Sequence, residues 1–132
     1  MNNVKTVSIW IGLMDSVEDL KKYLLKFSDD EGEFIDSEFE KDFNIQFDNQ
    51  DIREINFLEK PTKSFSTMVS RHSYGENIIS NYMAKFHDDL EKNYNFIILV
   101  YEFKYMGLVK KVDNNNKFVR FIGNFEYDSI DG

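Results

Sequence analysis

The sequence predicts an α+β domain: a mainly antiparallel sheet of about four to five strands, helices packed on one face, and a C-terminal meander. Three observations lead there. The N-terminal segment alternates apolar and polar residues, two internal segments carry apolar residues at helical spacing, and the last third is a run of apolar stretches separated by turn residues. Strands gathered at the end of the chain, not alternating with helices, argue against a parallel βαβ fold.

From Val4 to Gly12, Val7, Ile9 and Ile11 fall on one face and Thr6, Ser8 and Trp10 on the other, the period of a strand. Gly12 ends it, and Trp10 is expected in the core or beneath a helix. Asp15 or Ser16 then caps a helix, with Asp19 completing an S-x-x-D box. Val17, Leu20, Leu24 and Phe27 give this helix an apolar stripe to about Phe27. Ser37 and Glu40 form a capping box, and Phe39 and Phe43, four apart, give a short helix an apolar stripe beneath an acidic outer face. Arg53–Leu58 is a strand with Ile55 and Phe57 on one face. Pro61, the only proline, marks a break after it.

Lys63–Ser70 reads as a short helix. A longer one opens at Ser73 or Tyr74, and Ile78, Ile79, Tyr82, Met83, Phe86 and Leu90 keep its apolar face to about Lys92. Asn93–Asn95 turns the chain. Phe96–Phe103, FIILVYEF, is nearly continuously apolar, as expected for a strand covered on both faces at the centre of the sheet. Met106-Gly107 reads as a hairpin turn into Leu108–Val112, and Asp113–Asn116 as a second turn into Lys117–Tyr127. In this last strand Val119, Phe121, Phe125 and Tyr127 are expected on one face, with Gly123 marking a bulge.

Charge is far less evenly spread than the net −8 suggests. Ser28–Asp51 holds ten acids and one base, Lys41, for a net charge of −9, so the rest of the chain is close to neutral. A cluster this dense repels itself and is either a solvated tail or a surface used on something positive. Phe34, Phe39, Phe43 and Phe47 are interleaved with the carboxylates, whereas a disordered acidic tail has no use for residues that need burial. The stretch reads as a folded acidic face pinned by phenylalanines.

Composition bounds the function. A chain of 132 residues, 42% hydrophobic and 16% aromatic, makes one domain over residues 1–132 with a real core. The absence of cysteine excludes disulfides and thiolate sites and fits a reducing compartment. MNNVKTVSIWIGL lacks the features of a signal peptide and no segment reaches 18 apolar residues, so a soluble cytoplasmic protein is expected. The acidic balance argues against direct nucleic-acid or membrane binding, both of which need a basic patch, and leaves basic proteins as partners.

No catalytic set emerges. His72 and His87 are fifteen residues apart, in different segments, and read as surface or capping histidines. Asp29, Glu31, Gly32 and Glu38 fall at positions three, five, six and twelve of an EF-hand loop, but Phe27 takes the place of the first ligand, so no metal site is expected. The six glycines form no phosphate-binding motif, and no cofactor is expected.

VSIWIG at Val7–Gly12 followed by a capped helix, DDEGEFIDSEFEKDFNI at Asp29–Ile45 and FIGNFEYD at Phe121–Asp128, in this order over nearly the whole chain, resemble the immunity protein 22 family. The SEFEKDFNI block carries most of the specificity. Trp10, Gly12, Gly32, Phe39, Asp42 and Phe43 match the family's pattern, while Asp36 stands where that pattern has a proline before the capping serine. The resemblance implies a small cytoplasmic antidote encoded beside a bacterial polymorphic toxin, with a binding role and no catalytic residue.

An immunity protein that neutralises a cognate toxin domain is therefore the expected function. The acidic face would occlude a basic nuclease domain by mimicking the nucleic-acid backbone, since charge complementarity speeds capture. The expected contact region is Asp29, Asp30, Glu31, Glu33, Asp36, Glu38, Glu40 and Asp42, with Phe34 or an exposed tyrosine as apolar anchor. The alternatives are a non-catalytic adapter for another basic protein and a cation-dependent hydrolase built on the carboxylates.

Overall fold

In the computed structural model, residues 3–28, 30–32, 34–45, 53–70, 72, 74–114 and 117–129 are described. Strand β1 (Asn3–Met14) leads into α1 (Val17–Leu24), and a small hairpin of β2 (Phe27–Ser28) and β3 (Phe34–Ile35) precedes α2 (Glu38–Phe43). After β4 (Arg53–Ser64) come α3 (Phe65–Val69) and α4 (Gly75–Met83), then β5 (Asp89–Tyr101), β6 (Lys111–Asn114) and β7 (Lys117–Ser129). The main sheet has the order β4-β5-β1-β7-β6, and every pairing in it is antiparallel. The α+β class and the C-terminal run of antiparallel strands are as expected from the sequence.

The centre of the sheet is β1, not the apolar β5 expected there; β5 lies beside it. Both strands are nonetheless buried on both faces, and a strand with two apolar faces needs two covers. Val7, Ile9 and Ile11 of β1 pack with Phe65, Met68, Val69, Ile78 and Tyr82 of α3 and α4. Trp10 points the other way, with Phe96, Ile98 and Val100, against Leu20, Tyr23 and Leu24 of α1 and Phe39 and Phe43 of α2. Helices thus cover both faces, correcting the expected one-sided packing.

Other boundaries move for local reasons. Pro61 lies inside β4, not after it: Phe57 pairs with Phe96 and Thr62 with Tyr94, so Leu58–Pro61 bulge opposite a single residue. An edge strand tolerates a proline there because the missing N–H faces no partner. The helix expected to reach Lys92 ends at Met83, and Leu90 fills the core from β5 instead. Its continuation is preempted at Asp88, whose carboxylate accepts from Ser64 Oγ (2.7 Å) and the Ser66 N–H (2.7 Å), tying the chain to the start of α3. Asn93–Asn95 is strand, not turn; the buried Asn95 side chain accepts from the Met14 N–H (3.0 Å) and donates to the Met14 carbonyl (2.7 Å).

Gly123, at φ +147°, does mark a bulge: Ile9 pairs with Gly123 and Trp10 with Phe121, leaving Ile122 extra. One inserted residue reverses the facing of everything beyond it. Val119 and Phe121 accordingly join Trp10, while Phe125 and Tyr127 join Val7 on the opposite face, so the four do not share a face.

Candidate partner-binding surface

Phe47, Asp48 and Asp51 lie outside the described residues, and the described residues of the acidic stretch form two parts with different fates. Its C-terminal part is α2, opened by the expected capping box: the Glu40 N–H donates to Ser37 Oγ (3.2 Å), and Glu40 Oε1 accepts from the Ser37 N–H (3.2 Å) and hydroxyl (2.9 Å). The box turns Glu40 inward, where it is 1% exposed and its Oε2 lies 3.2 Å from Lys26 Nζ. Arg53 lies within reach of the same negative field, although burial dominates there and lowers its pKa.

Phe39 and Phe43 pin α2 to the sheet. Trp10, fully buried, meets Phe39 edge-on at 5.0 Å, Phe43 at 5.8 Å, Tyr105 at 5.4 Å and Phe121 at 5.0 Å between ring centroids. Its Nε1 is buried with no hydrogen-bond partner, so apolar and aromatic contacts hold it in place. Trp10 is core, as expected.

On its other flank α2 is tied by Lys117. This ammonium, with only a tenth of its side chain exposed, bonds Glu38 and lies 2.7 Å from Asp42 Oδ2, and it sits 4.6 Å from the centre of the Tyr23 ring. Tyr23 donates its hydroxyl to the same Asp42 oxygen (3.0 Å). Burial opposes the charge on Lys117, but the hydrogen bonds to Asp42 and Glu38 outweigh it and raise its pKa. Burial, reinforced by Asp42, raises that of Tyr23. Asp42 and Glu38 thus close a clasp between α1, α2 and β7.

The N-terminal part is different. Asp30 and Glu31 occupy the turn of the β2–β3 hairpin and are exposed, as is Asp36 between β3 and α2. Of the nine residues expected at a contact surface, Asp30, Glu31, Asp36 and Glu38 present their side chains to solvent, Asp42 is half-buried in the clasp, and Glu40 is interior. Asp29, Glu33 and the side chain of Phe34 lie outside the described residues. Among the described residues, the exposed carboxylates of the expected set are thus Asp30, Glu31, Asp36 and Glu38.

A family model described as immunity protein 22 matches residues 7–128. The chain belongs to the immunity protein 22 family. No curated protein and no solved structure matches it. Membership implies a toxin as binding partner, and the matched span contains the hairpin, α2 and all of the sheet but the first residues of β1 and the last of β7. Among the described residues no group of His, Asp and Glu could hold a metal ion, and no helix is long and apolar enough to cross a membrane.

Two features of this immunity protein were not legible as site residues. His72 is not a surface histidine: its side chain is largely buried, with Nδ1 3.8 Å from Glu54 Oε1 and Nε2 buried without a hydrogen-bond partner. Burial lowers its pKa despite the nearby carboxylate. The expected exposed tyrosine does not exist either, for all seven tyrosines are buried or half-buried. Among the described residues, the apolar side chains most exposed to water are instead Leu108, at 96%, and Met106, at 75%. Their signal in the sequence was a pair of large apolar residues flanking Gly107 between lysines, which a hairpin reading absorbed.

Proposed function

We propose that this immunity protein neutralises the toxin domain encoded beside it by covering a basic surface of that toxin with the acidic hairpin. The contact acids are Asp30, Glu31 and Asp36, continued by Asp29 and Glu33, with Glu38 and Asp42, which α2 also uses in its clasp, at the margin. The observation that supports this reading is where the carboxylates stand: Glu40 and Asp42 are drawn into the anchoring of α2, whereas Asp30 and Glu31 on the hairpin turn and Asp36 after it are exposed. Exposed carboxylates held on a folded element steer a basic partner into place and keep its charged groups paired after docking.

The basic partner best suited to such a surface is a nuclease domain, whose phosphate-binding cleft is lined by Lys and Arg; the antidote acts in the cytoplasm by occlusion and catalyses nothing. The test is co-expression of the chain with the adjacent toxin domain, scoring growth against an empty vector. Rescue by the wild type, lost when Asp30, Glu31 and Asp36 are neutralised together, is the expected result. Full rescue by the neutralised variant would remove the hairpin from the mechanism.

A further inference from the structure

Residues 103–110 between β5 and β6 have no regular secondary structure, yet they are held as firmly as a strand. Ser8, fully buried in the central strand, places its hydroxyl 2.9 Å from the Phe103 carbonyl and accepts from the Tyr105 N–H (2.9 Å). Asn124 on β7 grips the same residue from both sides, its Oδ1 accepting from the Tyr105 N–H (3.1 Å) and its Nδ2 donating to the Tyr105 carbonyl (2.9 Å). The Tyr105 ring is buried against Trp10, Phe43 and Phe121, and its hydroxyl donates to the Val109 carbonyl (2.8 Å), closing the loop on itself. Gly107 passes so close over this ring that a Cβ there would lie 2.4 Å from the Tyr105 oxygen.

Placing a buried serine and a half-buried asparagine in the sheet to fix one loop is costly unless their bonds are made, and here the bonds converge on Tyr105. The product is a rigid platform that displays Met106 and Leu108 in water. Single exposed apolar residues are ordinary on protein surfaces. Two on one immobilised loop, with Leu108 almost wholly exposed, form the preorganised apolar centre that a protein interface uses, because little conformational freedom is lost when it docks. The loop also lies against α2: Tyr105 approaches Phe43 at 6.0 Å between ring centres, on the face of the sheet that α1 and α2 cover. Its own charge is of the opposite sign, since Lys104, Lys110 and Lys111 are exposed around the tip.

We propose that Met106 and Leu108 are the apolar anchor of the toxin interface, entering a recess on the toxin that is apolar within and rimmed by carboxylates facing Lys104, Lys110 and Lys111. The inference rests on the toxin-binding reading above and assigns the loop the part of the interface that slows dissociation, leaving the hairpin the part that speeds association. The two surfaces have opposite charge, so together they also fix the orientation of the complex.

The test measures binding kinetics of the adjacent toxin domain to the full chain and to Leu108→Ala, Leu108→Asp, Leu108→Lys and a Met106→Ala/Leu108→Ala double variant. A site this exposed leaves the fold intact, which thermal unfolding verifies. The double variant should dissociate at least tenfold faster with its association rate and salt dependence within about twofold of wild type. Leu108→Lys should lose less affinity than Leu108→Asp, because the rim is acidic. Wild-type dissociation by the double variant would overturn the anchor while leaving the hairpin reading standing. Equal losses for Lys and Asp would overturn the acidic rim, and absence of binding by the wild type would overturn the toxin reading and the anchor with it.

Discussion

The two described parts of the acidic stretch are both rich in carboxylates but hold them differently. Around α2 each carboxylate has a specific partner within the protein: Glu40 pairs with Ser37 and Lys26, Asp42 with Tyr23 and Lys117, Glu38 with Lys117. In the hairpin Asp30, Glu31 and Asp36 stand exposed. A run of acid in sequence is thus not equivalent to an acidic surface. A carboxylate at the third position of a capped helix is drawn inward by the cap, and one on the flank of a helix beside a strand meets whatever cation that strand supplies. The carboxylates before the helix differ in standing exposed.

This contrast can be broken most severely at its anchor. Phe39→Ala removes a fully buried ring from the packing around Trp10 and should lower stability by about 3 to 5 kcal/mol. Glu40→Ala deletes half of the capping box and the buried carboxylate beside Lys26, for a loss of roughly 3 kcal/mol. Both are read from urea unfolding, with the slope checked for two-state behaviour. Asp30→Asn/Glu31→Gln/Asp36→Asn should do the reverse, leaving stability within about 0.5 kcal/mol per site while slowing toxin association severalfold at low salt. A variant at Glu40 that unfolded no more easily than one at Glu31 would erase the distinction between the halves.

The smallest effect concerns the opposite face. Burial lowers the pKa of His72, so folding favours its neutral form. The folded state then binds fewer protons than the unfolded one, and the stability this contributes is fully present above the ordinary histidine value of about 6.5 and is lost as pH falls through the folded value. Comparing unfolding midpoints at pH 7.5 and 5.5 should show a decline that His72→Gln reduces, whereas neutralising the hairpin acids should leave that difference nearly unchanged.

Much of this was legible where local chemistry decides. The cap at Ser16, where the Asp19 N–H donates to the serine hydroxyl, and the box at Ser37 fix where α1 and α2 start, and the alternation of β1 places Trp10 and Ile9 on opposite sides. Misreadings arose where tertiary structure overrode a local period. Phe86 and Leu90 continue the spacing of α4, but Leu90 reaches the same core from a strand. Pro61 looks like a terminator unless β4 is known to be an edge. Gly123 announces a bulge, yet the reversal of facing beyond it follows only from the pairing with β1.

At the site, the acidic residues were visible as a set but their division was not. Lys26 and Lys117, which neutralise α2, come from outside the acidic core, and Lys117 comes from 75 residues beyond Asp42. The platform under Met106 and Leu108 was hidden for the same reason, since Ser8 and Asn124 look unremarkable until β1 and β7 bring them to Tyr105.

The most direct test is the association rate of the toxin domain with the wild type and with the Asp30→Asn/Glu31→Gln/Asp36→Asn variant across a range of salt concentrations. Steering by the hairpin predicts a wild-type rate that falls steeply with salt and a variant whose rate is lower at low salt and markedly flatter, the two converging at high salt where charges are screened. Identical rates and slopes for two equally folded proteins would contradict capture by the hairpin acids.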